Sequence, residues 1–171
     1  GYIGSHTAVA LIDAGYQPII IDNLSNSKLG VLARIQDLTG VTVPFYQLDL
    51  ADRVALHKVF LEEDIAGVIH FAAFRSVPES VENPIVYLDN NVLTLLNLVS
   101  VMSDFDCTKI VFSSSCTVYG SSNSSPLSED MARSHESPYG LTKIIGEDIL
   151  TTLEDTKSWN VGILRYFNPV G

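Results

Sequence analysis

Apolar positions change their period along this chain. Runs with strand character fall at residues 18–22, 41–48, 67–73, 109–115 and 160–167. Between them, apolar residues recur at helical spacing over 7–14, 29–38, 53–63, 83–102 and from 138 onward, where Ile144, Ile145, Ile149, Leu150 and Leu153 share a stripe. Strands alternating with helices predict parallel pairing and right-handed crossovers, a doubly wound α/β sheet. No internal repeat, low-complexity tract or interdomain linker interrupts the pattern.

The opening residues, Gly1-Tyr2-Ile3-Gly4-Ser5-His6, read as the last part of a glycine-rich turn entering helix 7–14, with Gly15 as its C-cap. A dinucleotide-binding unit sets such a turn after its first strand and an acidic residue about twenty positions on, against the ribose hydroxyls. Asp22 stands eighteen after Gly4. The strand and first glycine that would precede Gly1 are missing, so the chain reads as a fragment cut inside its phosphate loop. The missing strand is the one that ordinarily lies centrally in such a sheet. The residues also allow a helix that merely begins with glycines.

Three further features invite a reading. Asp49, after strand 41–48, either meets an adenine edge or caps the helix beginning near Asp52. Asn90 and Asn91 lie inside the apolar helix 83–102, where unsatisfied amides are costly, so they bond either a neighbouring loop backbone or a ligand. The serine-rich segment 120–136 reads as flexible and exposed.

Composition narrows the classes. With 171 residues, 46% of them apolar, one main domain is expected. Ten Lys+Arg against twenty Asp+Glu give a charge of −10, which argues against a nucleic-acid or anionic-membrane surface. The longest apolar run, 92–102, is shorter than the ~20 residues of a membrane span. Cys107 and Cys116, the only cysteines, lack metal or redox spacing and suit a reducing cytoplasm. His70 reads as a satisfied core histidine, and His6, His57 and His135 have no metal spacing, so no metal site is expected.

The strongest candidate chemistry lies between Ser115 and Lys143. Ser115 ends an apolar strand, and Ser137-Pro138-Tyr139-Gly140-Leu141-Thr142-Lys143 begins a helix, with Ser137 as N-cap and Pro138 in the first turn. Tyr139 and Lys143, four apart, share one helix face. A fixed ammonium lowering a phenol by about 3 units from ~10 contributes about 4 kcal/mol and would make it a base at neutral pH. Tyr-x-x-x-Lys alone is usually an ordinary helical pair; the upstream serine and the glycine turn change that reading.

Together with Asp22-Asn23-Leu24-Ser25-Asn26-Ser27, His70-Phe71-Ala72-Ala73, Ser113-Ser114-Ser115-Cys116-Thr117-Val118-Tyr119-Gly120 and Arg165-Tyr166-Phe167-Asn168-Pro169-Val170-Gly171, these motifs give a family resemblance. Over essentially its whole length the chain resembles the extended short-chain dehydrogenase/reductase family, and within it the members that epimerise UDP-sugars. The resemblance implies a Rossmann-type NAD-binding domain over 1–167 and the start of a nucleotide-sugar domain at 168–171. Gly1, Tyr2, Ile3 and Gly4 would then line the pyrophosphate. Asp22 and Asn23 would hold the adenosine ribose and select NAD, Asn26 and Ser27 would contact the phosphate and ribose side, and Asp49 and Leu50 would bracket the adenine. Phe71, Ala72, Arg75 and Asn90 would line or support the cofactor, and Tyr166 and Phe167 would approach the nicotinamide. Ser115, Tyr139 and Lys143 match the catalytic triad, and Ser115, Tyr139 and Asn168 the sugar site.

The activity implied is interconversion of UDP-galactose and UDP-glucose. Tyr139, as phenolate, would take the 4-hydroxyl proton while hydride leaves carbon 4; the 4-ketose turns over and hydride returns to its other face. Epimerisation of an N-acetylated or uronic UDP-sugar, or a non-catalytic dinucleotide-binding fragment, remain as alternatives. A sugar dehydratase of this family needs an Asp-Glu pair after the serine, where this chain has Cys116 and Thr117, which are not carboxylic acids. Arg75, Pro78 and Leu141 depart from the usual lysine, glycine and lysine. The resemblance also implies a homodimer of the full-length parent, formed through segments 83–102 and 137–154.

Overall fold

A computed structural model describes residues 1–170; Gly171, expected to begin the nucleotide-sugar domain with its neighbours, lies outside the described residues. The chain forms two compact units, Gly1–Glu62 and the remainder from Glu63. Its parallel strands form two sheets, β1-β2 in the first unit and β3-β4-β5 in the second.

The first unit holds α1 (Tyr2–Asp13), β1 (Ile20–Ile21), α2 (Gly30–Thr39), β2 (Phe45–Tyr46) and α3 (Arg53–Glu62). Helix α1 begins five residues earlier than expected: Ser5 N–H already bonds Gly1 O at 3.0 Å, so the glycine turn is the helix's own first turn. It ends as anticipated near Gly15, which takes φ +84°. Gly15 N–H bonds Ile12 O and Tyr16 N–H bonds Leu11 O, both at 2.9 Å, a Schellman closure that a Cβ would strain. Strands β1 and β2 pair over only Ile20↔Phe45 and Ile21↔Tyr46, much shorter than the apolar runs suggested.

In the second unit β3 (Val68–His70), β4 (Lys109–Ser115) and β5 (Asn160–Tyr166) lie in register from Val68↔Ile110 and from Lys109↔Asn160 to Ser115↔Tyr166. Strand β4 keeps the bounds read from the sequence. Its Ile110, Phe112 and Ser114 are buried on one face, the period-2 signature of a covered sheet. Helices α6 (Thr94–Asp104) and α7 (Pro138–Lys157) contribute Leu95, Leu98, Val101, Met102 and Leu150 to the same core.

The helix expected over 83–102 runs from Pro84 to Asp104 with a π-turn within it, and a separate short helix precedes it. Helix α4 (Val77–Glu82) is capped by Ser76, Asn83 leaves the helical region (φ −130°, ψ 59°) before Pro84, α5 (Pro84–Leu88) follows, and residues Asp89–Leu93 form a π-turn before α6. A residue preceding proline is disfavoured in the helical region, which accounts for the break at Asn83. Pro84–Asp104 is 21 residues and apolar enough to cross a membrane by length and composition alone. Tyr87, Asn91, Leu95, Leu98, Val101 and Met102 are nevertheless buried within the protein.

The segment 120–136 is largely exposed, as its composition suggested, but hydrogen bonds tie it down. Asn123 Nδ2 bonds Tyr119 O at 2.7 Å and Ala132 O at 2.9 Å, and Ser134 N–H bonds Val118 O at 2.8 Å. Gly120 starts it at φ +58°, where a Cβ would lie 2.2 Å from Ser134 Oγ.

Candidate active site

Two local rules place the catalytic candidates. Strand β4 delivers Ser115 at its carboxyl end, paired with Tyr166, and Ser137 caps α7 by accepting from Gly140 N–H at 3.1 Å. That cap sets Tyr139 in the first helical turn and Lys143 one turn on. All three are buried, at 8%, 8% and 4% exposure for Ser115, Tyr139 and Lys143. The Ser115 side chain faces the Tyr139 hydroxyl and pulls its pKa down. Lys143 Nζ lies 5.8 Å from the Tyr139 ring centre and 4.9 Å from that of Phe112, and donates to Ser113 O at 2.8 Å.

The electrostatics correct one expectation. Burial raises the Tyr139 pKa above that of an ordinary phenol; the Ser115 side chain and the Arg75 charge pull it down, Cys116 pushes it up, and the net is upward. Lys143 does not figure among the groups that shift Tyr139; its ammonium donates to the Ser113 carbonyl, and desolvation lowers its own pKa to about 8.

Asn91 resolves the question of the helical amides. Its Oδ1 accepts from Phe74 N–H at 2.8 Å, and its Nδ2 donates to Phe74 O at 2.9 Å and to Thr142 Oγ1 at 3.0 Å. Loop backbone, not ligand, satisfies it. Asn90 donates to Asn91 Oδ1 at 2.9 Å, and Thr94 Oγ1 bonds Asn90 O. Of the other candidates in this unit, Phe71 and Tyr166 are half-buried, whereas Ala72, Arg75, Phe167 and Asn168 are exposed. His70 is a core residue, as read: it is stacked on Phe112, and burial followed by the Lys143 charge lowers its pKa to about 3.

Sequence reasoning missed the charge cluster beside the triad. Glu147 is 1% exposed and takes Arg165 through two hydrogen bonds of 3.0 and 2.8 Å, Ser114 Oγ at 2.5 Å and Arg133 Nη1 at 3.1 Å. Burial alone would raise this carboxyl, but the bonds from Arg165 and Ser114, with the Arg165 charge, hold it below the usual carboxylate value. Arg165 also reaches Tyr119 OH at 3.0 Å and Glu129 O at 2.9 Å, tying down the 120–136 segment. The signal was available: Tyr139, Lys143 and Glu147 recur every four residues, and Arg165 is a lone charge inside an apolar strand.

In the first unit, Asp22 Oδ1 accepts from Leu24 N–H at 2.8 Å with Leu24 at φ +60°, a strained turn for a leucine. Asn23 Nδ2 donates to Asp49 Oδ2 at 2.8 Å, and Asp49 Oδ1 accepts from Ala51 N–H at 2.8 Å. Asp49 is therefore not the cap of α3; Asp52 is, accepting from Ala55 N–H at 3.0 Å. Ser27 Oγ is buried without a hydrogen-bond partner, and no side chain caps the start of α1 at Gly1. A buried hydroxyl without a partner fits a hydrogen-bonding ligand such as a phosphate. Gly4, Tyr2 and Ile3 lie in the first turn of α1, Asn26 is exposed, and Leu50 precedes α3.

A concavity of about 460 Å³ in the second unit is lined by Gly67, Val68, Lys109, Val111 and Asn160 at the amino ends of the strands. Ligands of open α/β sheets bind beyond the carboxyl ends, where Ser115 sits, so the triad and not this cleft is the candidate site.

Parallel strands joined by helices, with Ser115, Tyr139 and Lys143 gathered at a carboxyl strand end, define a Rossmann-type α/β protein. The model of the NAD dependent epimerase/dehydratase family matches residues 1–171, and the chain belongs to that family. It is 46% identical over 172 residues to a UDP-glucose 4-epimerase of Bacillus subtilis and 49% identical over 173 residues to one of Yersinia pestis, each match covering 100% of this chain and 51% of the relative. Among solved structures, UDP-glucose-4-epimerase from Stenotrophomonas maltophila with bound NAD and formylated UDP-arabinopyranose superposes with TM-score 0.96 at 41% identity, covering 100% of this chain and 51% of that one. The enzyme from Bifidobacterium longum in complex with NAD+ and UDP also gives TM-score 0.96, at 42% identity over 99% of this chain and 51% of that one. The chain thus spans about half the length of the curated relatives it matches.

Proposed function

We propose that the full-length protein is an isomerase that interconverts UDP-galactose and UDP-glucose at carbon 4 through a 4-keto sugar, using bound NAD. The observation that carries this reading is the buried Ser115–Tyr139–Lys143 constellation at the carboxyl end of β4. Asp22, Asn23, Asn26, Ser27, Asp49 and Leu50, with Gly1, Tyr2, Ile3 and Gly4, would hold the adenosine and phosphate part of the cofactor. Phe71, Ala72, Arg75, Asn90, Tyr166 and Phe167 would serve the nicotinamide part. When bound, NAD supplies a cationic ring that accepts hydride from carbon 4 and returns it.

The chain's own residues handle the proton. Tyr139 takes it from the 4-hydroxyl, and Ser115 donates a hydrogen bond to the charged oxygen. Lys143, held by Ser113 O, places a positive charge beside the tyrosine ring. Because burial disfavours the phenolate, the base needs every nearby positive charge, that of Arg75 included. Cys116 and Thr117 offer no carboxylic acid to expel water from a sugar, which favours epimerisation over dehydration within this family. The 49% identity to the UDP-glucose 4-epimerase of Yersinia pestis favours the plain hexose, against 36% to a UDP-N-acetylglucosamine 4-epimerase of Methanobrevibacter ruminantium.

The same proposal takes residues 1–167 as the dinucleotide-binding part, with Asn168 opening the sugar-binding part. A homodimer is supported by the apolar residues Val81, Ile85, Val86, Leu93 and Leu96, exposed along α4–α6. The two unpaired cysteines support a cytoplasmic site of action.

Purified full-length protein should convert UDP-galactose to UDP-glucose without added cofactor and release NAD on denaturation. Tyr139→Phe should retain NAD and lose most of the rate. No conversion by the wild type, with NAD present, would leave an epimerase of another UDP-sugar or the non-catalytic reading.

A further inference from the structure

We propose that Thr117 is a positioning residue whose hydroxyl and backbone N–H together fix Ser115 as a hydrogen-bond donor toward Tyr139. This deepens the proposed function and rests on it for its catalytic meaning. A serine hydroxyl has two lone pairs and one proton. Thr117 N–H donates to Ser115 Oγ at 3.2 Å, and Thr117 Oγ1 donates to the same oxygen at 3.1 Å. Both lone pairs are thereby occupied, so the proton is all Ser115 has left to offer. The group it faces is the Tyr139 hydroxyl, whose pKa the Ser115 side chain pulls down.

The direction of this relay has a chemical consequence. Were a lone pair of Ser115 open, neutral Tyr139 could donate into it, and that bond would favour the phenol. With both closed, Ser115 can only donate, which favours the phenolate, and the proton of a neutral Tyr139 must point to some other acceptor, such as the sugar oxygen. The chain Thr117→Ser115→Tyr139 therefore runs one way, each bond polarising the next.

The surrounding structure holds Thr117 in place for this. Residues Cys116–Tyr119 form a 3₁₀ turn for which Ser115 is the cap. Val118 and Tyr119 are buried, and Val118 O accepts from Ser134 N–H at 2.8 Å. On the other side, the Thr117 carbonyl packs on the first turn of α7 so closely that a Cβ on Gly140 would lie 3.2 Å from it. The turn cannot shift without moving the helix that carries Tyr139. The charged and titratable groups facing Tyr139 among the described residues are Arg75 from the loop after β3, the Cys116 thiol, and Lys143 on α7 itself.

The test compares Thr117→Val, which keeps shape and backbone N–H but loses the hydroxyl donor, with Thr117→Ser, which restores it, both in the full-length protein. Phenolate absorbance is titrated for each protein against the same protein carrying Tyr139→Phe, so that only the Tyr139 signal remains; this readout needs no substrate. The titration midpoint should rise by about one pH unit in Thr117→Val, and the acidic limb of kcat/KM should move up with it, a loss of about tenfold at pH below that limb with KM little changed. Thr117→Ser should match the wild type in both. A midpoint unmoved in Thr117→Val, with activity falling only as thermal stability falls, would overturn the assignment, as would equal shifts in the valine and serine variants. If the wild type fails to act on any UDP-sugar, the proposed function falls, while the titration still decides the orientation of Ser115.

Discussion

Replacing Lys143 by methionine should make the protein more stable at neutral pH while removing its activity. Burial lowers the Lys143 pKa from 10.5 to about 8, and the side chain is 4% exposed. The folded-state value is depressed, so between pH 8 and 10.5 the unfolded chain binds the proton that the folded chain has lost. Stability then rises with pH across that window. Below pH 8 the buried ammonium costs about 3 kcal/mol, the full linkage difference. Methionine removes that cost and fills similar space, but it orphans the Ser113 carbonyl, now bonded at 2.8 Å, at about 1–3 kcal/mol. The first effect wins by a small margin at pH 7. The pH dependence is the cleaner signature, because the lost bond contributes nearly equally at every pH. Urea unfolding of wild type and Lys143→Met, run in parallel from pH 7 to 10.5, should show the wild type gaining about 3 kcal/mol on the variant. A constant difference across that range would refute the claim that the lysine is charged and desolvated in the fold.

Other perturbations follow from the same environment. His70, lowered to about 3, stays neutral in the folded protein while the unfolded chain takes up a proton below about pH 6.5. Its contribution is lost as pH falls from about 6.5 to 3, so His70→Gln should flatten the acid limb of the unfolding curve, and an unchanged limb would contradict its burial as a neutral group. Gly146→Ala places a Cβ 2.6 Å from Phe112 Cζ and 3.3 Å from Leu95 Cδ2 in a closed core. Overpacking of about 1–3 kcal/mol should exceed the helix-propensity gain of about 1 kcal/mol, giving a lower melting temperature; a higher one would show that the ring yields freely. Glu147→Gln strands the Arg165 guanidinium and should cost about 3 kcal/mol, whereas Arg133→Ala, at a side chain 32% exposed, should cost under about 1 kcal/mol. Equal effects in denaturant would mean that the buried pair is not the anchor.

What the sequence made legible is what local rules determine. Strand β4 kept its bounds because its alternation, Ile110 and Phe112 inward, is enforced by one covered face. The start of α7 followed from Ser137 and Pro138, whose preferences act within a single turn. Strands β1 and β2 were overestimated because an apolar run reports burial, whereas a ladder needs a partner at each residue, and only two pairs form. The break at Asn83 was readable from Pro84, but the π-turn was not, since it depends on Asn91 meeting the backbone of Phe74 seventeen residues away. That Tyr139 and Lys143 share a helix face was readable from their spacing. Their electrostatics were not, because spacing says that Lys143 can approach Tyr139 and cannot say that the ammonium is committed to Ser113 O. Glu147 was passed over for a related reason: a glutamate on a helix ordinarily faces water, and only the convergence of Arg165, Arg133 and Ser114 explains its burial.

The account rests on proton removal by Tyr139 with the hydride of carbon 4 kept inside the protein. Full-length wild type and Tyr139→Phe would each be incubated with UDP-galactose carrying deuterium at carbon 4, and the UDP-glucose formed would be analysed by mass spectrometry and NMR. The wild type should give product with deuterium retained at carbon 4, and the variant almost no product over the same time. Deuterium exchanged with water, or a variant as fast as the wild type, would contradict it.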